Sequence, residues 1–452
     1  MKKMLSALTL VTASALSLGG CSAAPATSPS ASGSAAPSAA PQNITLWLAG
    51  GDTPDALRTY LKTAYKAKTG GALTIEEQAW GDLVTKLTTA LPDANNTPDV
   101  VEVGNTQSPT FTNVGAFADI SDMYTELGGD KLLPSFVEVG KVDGKNFTLP
   151  YYFGSRYNFY RKDIYAAAGV QVPKTLEEFN ATVKTIAEKN PKNIKDFSGF
   201  FIGGQDWRNG ISWIFANGGD LAKKENGQWV STLSDPSSLK GLQQLQLIQK
   251  AASNAPADAK DQTPWLYIND ADVITDADGK ATGKTSLAAA TIMAPGWAHW
   301  SIGDAAKKDG KVVREWNPEK FGTFVLPGND GKPAPVFAGG SNIAISATSK
   351  NPELSKELMK IIFSPEFQAK LGGAGLGPAN SDYVNSLGDD EFAKALIDSA
   401  SNSKLTPAAP GWAAVEASMV LEEFFGKIEG ATDLAALAKA YDAKITPMLN
   451  GK

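Results

Sequence analysis

The side chains best equipped for chemistry in this 452-residue chain are aromatic and planar-polar, with ten Trp against one His and one Cys. Their densest cluster is Gln205-Asp206-Trp207-Arg208-Asn209. Rings offer flat apolar faces, while Asp, Asn, Gln and Arg offer hydrogen-bonding edges in a fixed plane. One Cys forbids an intrachain disulfide, a thiolate zinc cluster and a CxxC redox pair. One His leaves no HExxH motif, and no GxSxG elbow accompanies His299 as a base. Most metal-dependent and thiol enzymes are thereby ruled out, no metal or cofactor is expected, and carboxylate or pure binding chemistry remains.

Charge narrows the partners. With 42 Lys+Arg against 48 Asp+Glu the chain is at −6, without the basic excess of a nucleic-acid binder. Lys2 and Lys3 precede an apolar stretch from Met4 to Leu18, short for a bilayer span but suited to a secretory leader. It ends in Leu18-Gly19-Gly20-Cys21, which resembles the lipobox of bacterial lipoprotein precursors. That resemblance implies a leader over 1–20 and a diacylglycerol thioether on Cys21, leaving 40 basic against 48 acidic residues and a charge of −8. Residues 22–41 contain only Ser, Ala, Pro, Thr and Gly, so 21–42 reads as a lipidated, disordered tether reaching up to roughly 60 Å.

The remaining sequence positions these side chains on an α/β framework. Ile44 to Leu48 alternates as a strand, and Pro54 to Thr69 carries Leu57, Leu61 and Tyr65 at helical spacing before Gly70. Leu73 to Glu77 predicts a strand, Asp82 to Leu91 a helix and Val100 to Val103 a third strand. This β-α-β-α-β start calls for a mostly parallel sheet with ligand loops at its carboxyl ends, here 49–53 and 104–108. Thr175 to Glu178 is a capping box, and 236–252 and 415–425 show apolar helical stripes.

Ordered blocks then carry a resemblance. They are GKNFTLPYY from Gly144, YNFYRKD from Tyr157, LAAATIMAPGWAHW from Leu287, GTFVLPG from Gly322, GGSNIAI from Gly339 and LTPAAPGWAAV from Leu405. The series resembles the carbohydrate-binding proteins of bacterial ABC importers, the family of maltose-binding protein. The resemblance implies a two-lobed periplasmic-binding-protein-like fold of class II type, with a hinge of crossing segments near 149–155, 288–294 and 346–351. Lobe 1 is then expected over 43–150 plus 292–348 and lobe 2 over 151–291 plus 349–452, with 253–285 an Asp-rich insertion.

The same resemblance implies an oligosaccharide ligand, a disaccharide or longer. Aromatic rings cover the flat C–H faces of a sugar and planar polar groups pair with its hydroxyls. Trp412 and Trp297 are expected to stack, with Gly296 allowing close backbone approach. Gln205, Asp206, Trp207 and Arg208 are expected to face the cleft, with Trp213 a nearby stacking ring. From the first lobe come Asp52, Trp80 and Asn105, and Tyr151 at the first crossing is a further candidate. Trp47, Trp229, Trp265, Trp300 and Trp316 read as packing. The expected partners are an oligosaccharide and ABC-importer permease subunits, with membrane contact through the lipid alone, no nucleic acid and a monomeric receptor outside the cell membrane. The alternative is an extracellular glycoside hydrolase, which needs two carboxylates about 5–10 Å apart, for instance Asp52 and Asp206.

Overall fold

The computed structural model describes residues 43–260, 264–270, 272–275, 281–285, 287–308 and 311–451. The leader, the tether and Cys21 lie outside the described residues, as does part of the 253–285 insertion.

The first three strands form as the alternation demands: β1 (Ile44–Ala49), β2 (Leu73–Gln78) and β3 (Val100–Gly104). Helices α1 (Asp55–Thr69) and α2 (Leu83–Ala90) cross between them. Gly70 closes α1 at φ 77, a left-handed cap that glycine adopts without strain. After α3 (Ser108–Asn113) the chain enters β4 (Thr148–Gly154), then β5 (Arg156–Arg161). Next come α4 (Leu176–Lys189), whose Thr175 hydroxyl accepts from Glu178 N as the capping box requires, α5 (Trp207–Ala216) and α6 (Pro236–Ala252). Strands β6 (Thr291–Pro295), β7 (Phe321–Phe324) and β8 (Gly339–Ile345) lead to α7 (Pro352–Ile362), α8 (Pro365–Gly373) and β9 (Gly377–Pro378). Helices α9 (Glu391–Ala400), α10 (Trp412–Ala417), α11 (Val420–Ile428) and α12 (Leu434–Leu449) complete the chain. The expected 415–425 stripe is thus two helices, broken at Met419, which sits at φ 56.

The first sheet runs β9-β4-β8-β3-β1-β2. β1 is parallel to β2 and β3, while β8 runs antiparallel to β3 and β4. The second sheet is β6-β5-β7, antiparallel throughout. Each has its own apolar core, one around Leu46, Leu61, Leu149 and Ile343, the other around Phe179, Trp213, Leu245 and Phe424.

These pairings correct the expected division of the chain. β6 and β7, assigned above to the first lobe, pair with β5 in the second sheet. Residues 352–373, assigned to the second lobe, pack on the first: Leu358, Met359 and Phe367 share a core with Leu57 and Leu61. The ring of Phe367 stacks on Tyr60 at 5.9 Å and on Tyr151 at 6.3 Å. An amphipathic stripe shows that a helix covers something, but not which sheet it covers. The chain therefore passes between sheets at Ser155, again within 325–338, and again near Gly388, rather than at 288–294 and 346–351.

Candidate ligand-binding site

The loop after β1 is built by its neighbours. Gly50 sits at φ +54, and a Cβ there would lie 2.8 Å from the Trp80 ring, so only glycine seats this indole. Arg58 on α1 clamps the loop from behind, donating from Nε to Thr53 O at 2.7 Å and from Nη2 to Gly50 O at 2.9 Å. Asp52, held exposed at its tip, accepts at Oδ2 from Trp80 Nε1 at 3.0 Å and from the Tyr152 hydroxyl at 2.8 Å. Asp52 and Trp80, both expected at the site, therefore form one unit with Tyr152.

Two other first-lobe candidates are placed differently. The two tyrosines of β4 sit together in the first-lobe core, their rings edge to face at 5.4 Å, opposite a bulge at Ser341/Asn342 in the pairing with β8. Tyr151 is fully buried against Phe367, and its hydroxyl lies 2.9 Å from Thr53 Oγ1. Tyr152, also buried, is the one whose hydroxyl reaches Asp52. Asn105 is buried and spends its amide on Ala338 O at 3.0 Å, tying β3 to the 325–338 crossing.

In the second lobe, Asp206 caps α5, accepting from Asn209 N at 3.0 Å and Asn209 Nδ2 at 2.6 Å. The cap orients the first turn of α5, where Trp207 donates from Nε1 to Glu422 Oε1 at 3.0 Å and the Arg208 guanidinium lies 4.5 Å from the Trp207 ring. Trp412 meets Trp207 edge to face at 6.3 Å, and both rings are buried. Half-buried Gln205 packs beside Gly426. Trp213, expected to stack on a ligand, instead lies fully buried beside Phe179 and Phe200, its Nε1 on Asn180 Oδ1 at 3.3 Å.

The lobes meet where Thr106 Oγ1, just beyond β3, donates to Glu416 Oε2 on α10 at 3.1 Å. Burial raises the Glu416 carboxyl above its ordinary range, with Arg208 opposing the rise. A separate cavity of about 310 Å³ is lined by Tyr152, Tyr157, Gly296, Trp297 and Trp300, with the 372–376 turn at the end of α8 and Leu396 of α9 completing it. Trp297 is 57% exposed and braced edge-on by Trp265 at 4.8 Å. Trp300, expected to be packing, is 75% exposed and rests on His299 at 4.2 Å. Two larger surface depressions, around 426–433 and between 135–144 and 403–410, contain none of the expected site residues.

The structure thus joins Asp52 with Trp80, Asp206 with Trp207, Arg208 and Trp412, and Gly296 with Trp297. It leaves Trp207, Trp213, Trp412, Tyr151 and Asn105 buried, so Trp412 in particular does not project from its loop as expected. Tyr152, Glu102 and Glu416 carry no individual expectation from the sequence, and Trp300 reads there as packing. Only the Pro150-Tyr-Tyr block carries a usable signal, and it does not say which tyrosine reaches the Asp52 loop. Among the described residues, no cluster of three or more His, Cys, Asp or Glu side chains is arranged to hold a metal, and no helix is long and apolar enough to cross a membrane.

Known proteins share this architecture. The sugar-binding protein MalE of Xanthomonas citri superposes with a TM-score of 0.71 at 19% identity, covering 90% of this chain and 97% of that one. An ABC substrate-binding protein of Listeria monocytogenes in complex with cycloalternan superposes at 0.67 and 18%, covering 90% and 98%. In sequence, the diacetylchitobiose binding protein DasA of Streptomyces coelicolor is 33% identical over 381 residues, 83% of this chain and 82% of that protein. The bacterial extracellular solute-binding protein family matches residues 61–397. Two α/β lobes joined by chain crossings, the superposition on solute-binding proteins and a family match spanning both lobes lead to one assignment: the chain belongs to the bacterial extracellular solute-binding proteins.

Proposed function

We propose that this protein is a receptor that captures an oligosaccharide of the diacetylchitobiose class between its lobes and delivers it to an ABC importer. The observation that carries the reading is Asp52, which accepts from both Trp80 and Tyr152, while Tyr152 in turn lines a cavity that also bears Trp297. A carboxylate among rings suits the hydroxyls and C–H faces of a sugar. The relative at 33% identity, named for diacetylchitobiose, supports the ligand class. A ligand touching both lobes favours the closed state by its differential affinity. Lobe 1 is 43–154 plus 339–387 and lobe 2 is 156–338 plus 388–451, following the sheet pairings.

Calorimetric titration with diacetylchitobiose, cellobiose and maltose tests the reading. Diacetylchitobiose is expected to bind most tightly. Preference for another sugar overturns the ligand class, and binding of none overturns the receptor. The receptor performs no chemistry: Asp206 is engaged as a helix cap rather than poised as an acid. Sustained release of N-acetylglucosamine from diacetylchitobiose would contradict this.

The receptor works as a monomer outside the membrane, held there by lipid on Cys21. The support is the position of the sole Cys, directly after small residues and an apolar stretch. Cys21→Ser is expected to move the protein from the membrane fraction to the aqueous one; retention in the membrane would refute the anchor.

A further inference from the structure

Trp265 is not among the residues that line the cavity bearing Trp297, yet its half-buried ring stands against Trp297 at 4.8 Å with the two planes at 73°. Among the described residues it is the one ring packed on Trp297. Trp297 itself follows Gly296 in the short helical turn Gly296–Ser301 and is 57% exposed. An indole in that position has two side-chain torsions to lose when a ligand stacks on it.

Trp265 is fixed from behind, because the segment it opens is tied down at each residue from Tyr267 to Asp270. Tyr267 O accepts from Ala288 N at 2.9 Å and Ala289 N at 3.0 Å, and the Tyr267 ring stacks on Phe201 at 4.3 Å. Arg161, 1% exposed at the end of β5, donates from Nη1 to Ile268 O at 3.1 Å and to Asp270 Oδ1 at 2.9 Å. The rest of its guanidinium is held by the two oxygens of Asp163 at 2.8 and 2.9 Å, and Lys320 Nζ takes Asp270 Oδ2 at 2.8 Å. Asn269 makes the decisive contacts. Fully buried, it donates from Nδ2 to Ser301 O at 2.9 Å and accepts at Oδ1 from Gly303 N at 2.9 Å. The same Nδ2 lies 3.4 Å from Trp265 O. One amide therefore joins the backbone of Trp265 to the far end of the turn that carries Trp297.

We propose that Trp265 is a positioning residue for the ligand: residues 264–270 form a strap, anchored by Arg161 and Asn269, that holds Trp265 against Trp297 and presets this platform before a sugar ring arrives. The proposal rests on the reading of Trp297 as a ligand-stacking ring. A platform ordered in advance gives up little torsional freedom on binding, so affinity gained this way comes from a residue that never touches the sugar. Part of the Asp-rich 253–285 stretch thereby acts on the site without entering it.

The test is a double-mutant cycle on the full chain, read by calorimetry with diacetylchitobiose. Trp297→Ala should weaken binding. Trp265→Ala should weaken it about twofold to twelvefold, and should add nothing further in the Trp297→Ala background. Trp265→Phe keeps a ring edge and should bind close to wild type. Trp265→Leu fills the space without one and should behave as Trp265→Ala, including where the alanine variant does not fold. The ligand-free readout is the fluorescence anisotropy of Trp297, taken as the difference between each protein and its Trp297→Phe counterpart, and it should fall on Trp265→Leu. Full affinity in Trp265→Leu, or an equal loss when the Trp297 ring is already gone, overturns the proposal. Unaltered affinity in Trp297→Ala overturns the platform reading and the proposal with it. Should diacetylchitobiose bind to no variant and not to wild type, the ligand reading falls, and the anisotropy decides the strap alone: no fall on Trp265→Leu overturns it.

Discussion

Trp80 and Asp52 lie 28 positions apart, on the loops after β2 and β1, yet a 3.0 Å bond from Trp80 Nε1 to Asp52 Oδ2 makes them one surface. The indole is seated against Gly50 and Gly104, where a Cβ would lie 2.8 and 3.3 Å from its ring. One oxygen of Asp52 is thus taken by Trp80 and Tyr152, and the other is available to a ligand hydroxyl. Hydrogen bonds to a charged group contribute about 1.5–3 kcal/mol, so Asp52→Ala should weaken diacetylchitobiose binding roughly tenfold to a hundredfold. Asp52→Ala also leaves the buried Tyr152 hydroxyl without its acceptor, so a modest fall in melting temperature should accompany the loss of affinity. An unaltered Kd by calorimetry would remove Asp52 from the site.

Trp412 behaves differently. A ring projecting from a loop would be removable without harm to the fold, but Trp412 is 1% exposed and packs on Trp207 within the second-lobe core. Truncating a buried Trp leaves a cavity and costs about 3–5 kcal/mol. Trp412→Ala is therefore expected to shift the urea midpoint strongly downward, with any loss of sugar affinity following from the disturbed Arg208–Trp207 pair. A variant as stable as the wild type would show the ring to be spare.

The contrast between these residues shows what could be read from sequence. The β1-α1-β2-α2-β3 start was legible because period-2 and period-3.6 patterns, closed by Gly70, act locally. The loops at the carboxyl ends of β1 and β3 followed from that topology, and with them Asp52. Which sheet β6, β7 and α7 join was not legible, because pairing partners lie more than a hundred residues away. Burial of Trp213 and Trp412, against exposure of Trp297 and Trp300, was equally hidden: an aromatic residue near a glycine reads the same whether a neighbouring helix covers it or leaves it open.

Glu102, buried in β3, predicts a dependence of stability on pH. Burial pushes its carboxyl up to about 8 in the folded state, above the ordinary 4.5, so the native state binds the proton more tightly than the unfolded chain does. The resulting stabilisation is complete below 4.5 and is lost as pH rises through 8. The slope from this one group reaches at most about 1.4 kcal/mol per pH unit. Urea denaturation at intervals from pH 5 to 9 should show wild type losing stability relative to Glu102→Gln across that range. Parallel curves for the two proteins would show that Glu102 ionises normally.

Trp300 bears on ligand length. It is 75% exposed, lines the same cavity as Trp297, and rests on His299, which stacks on Phe392 at 4.4 Å. An indole so exposed, yet braced from behind, is a platform for a flat apolar face rather than core material. A third sugar ring laid on it would gain about 0.5–1.5 kcal/mol, or roughly twofold to twelvefold in affinity. Titration with N-acetylglucosamine oligomers of two, three and four units should therefore show tighter binding on lengthening, and Trp300→Ala should abolish most of that gain. If the gain survives the substitution, the longer ligand leaves the cleft by another route and Trp300 serves the lobe surface instead.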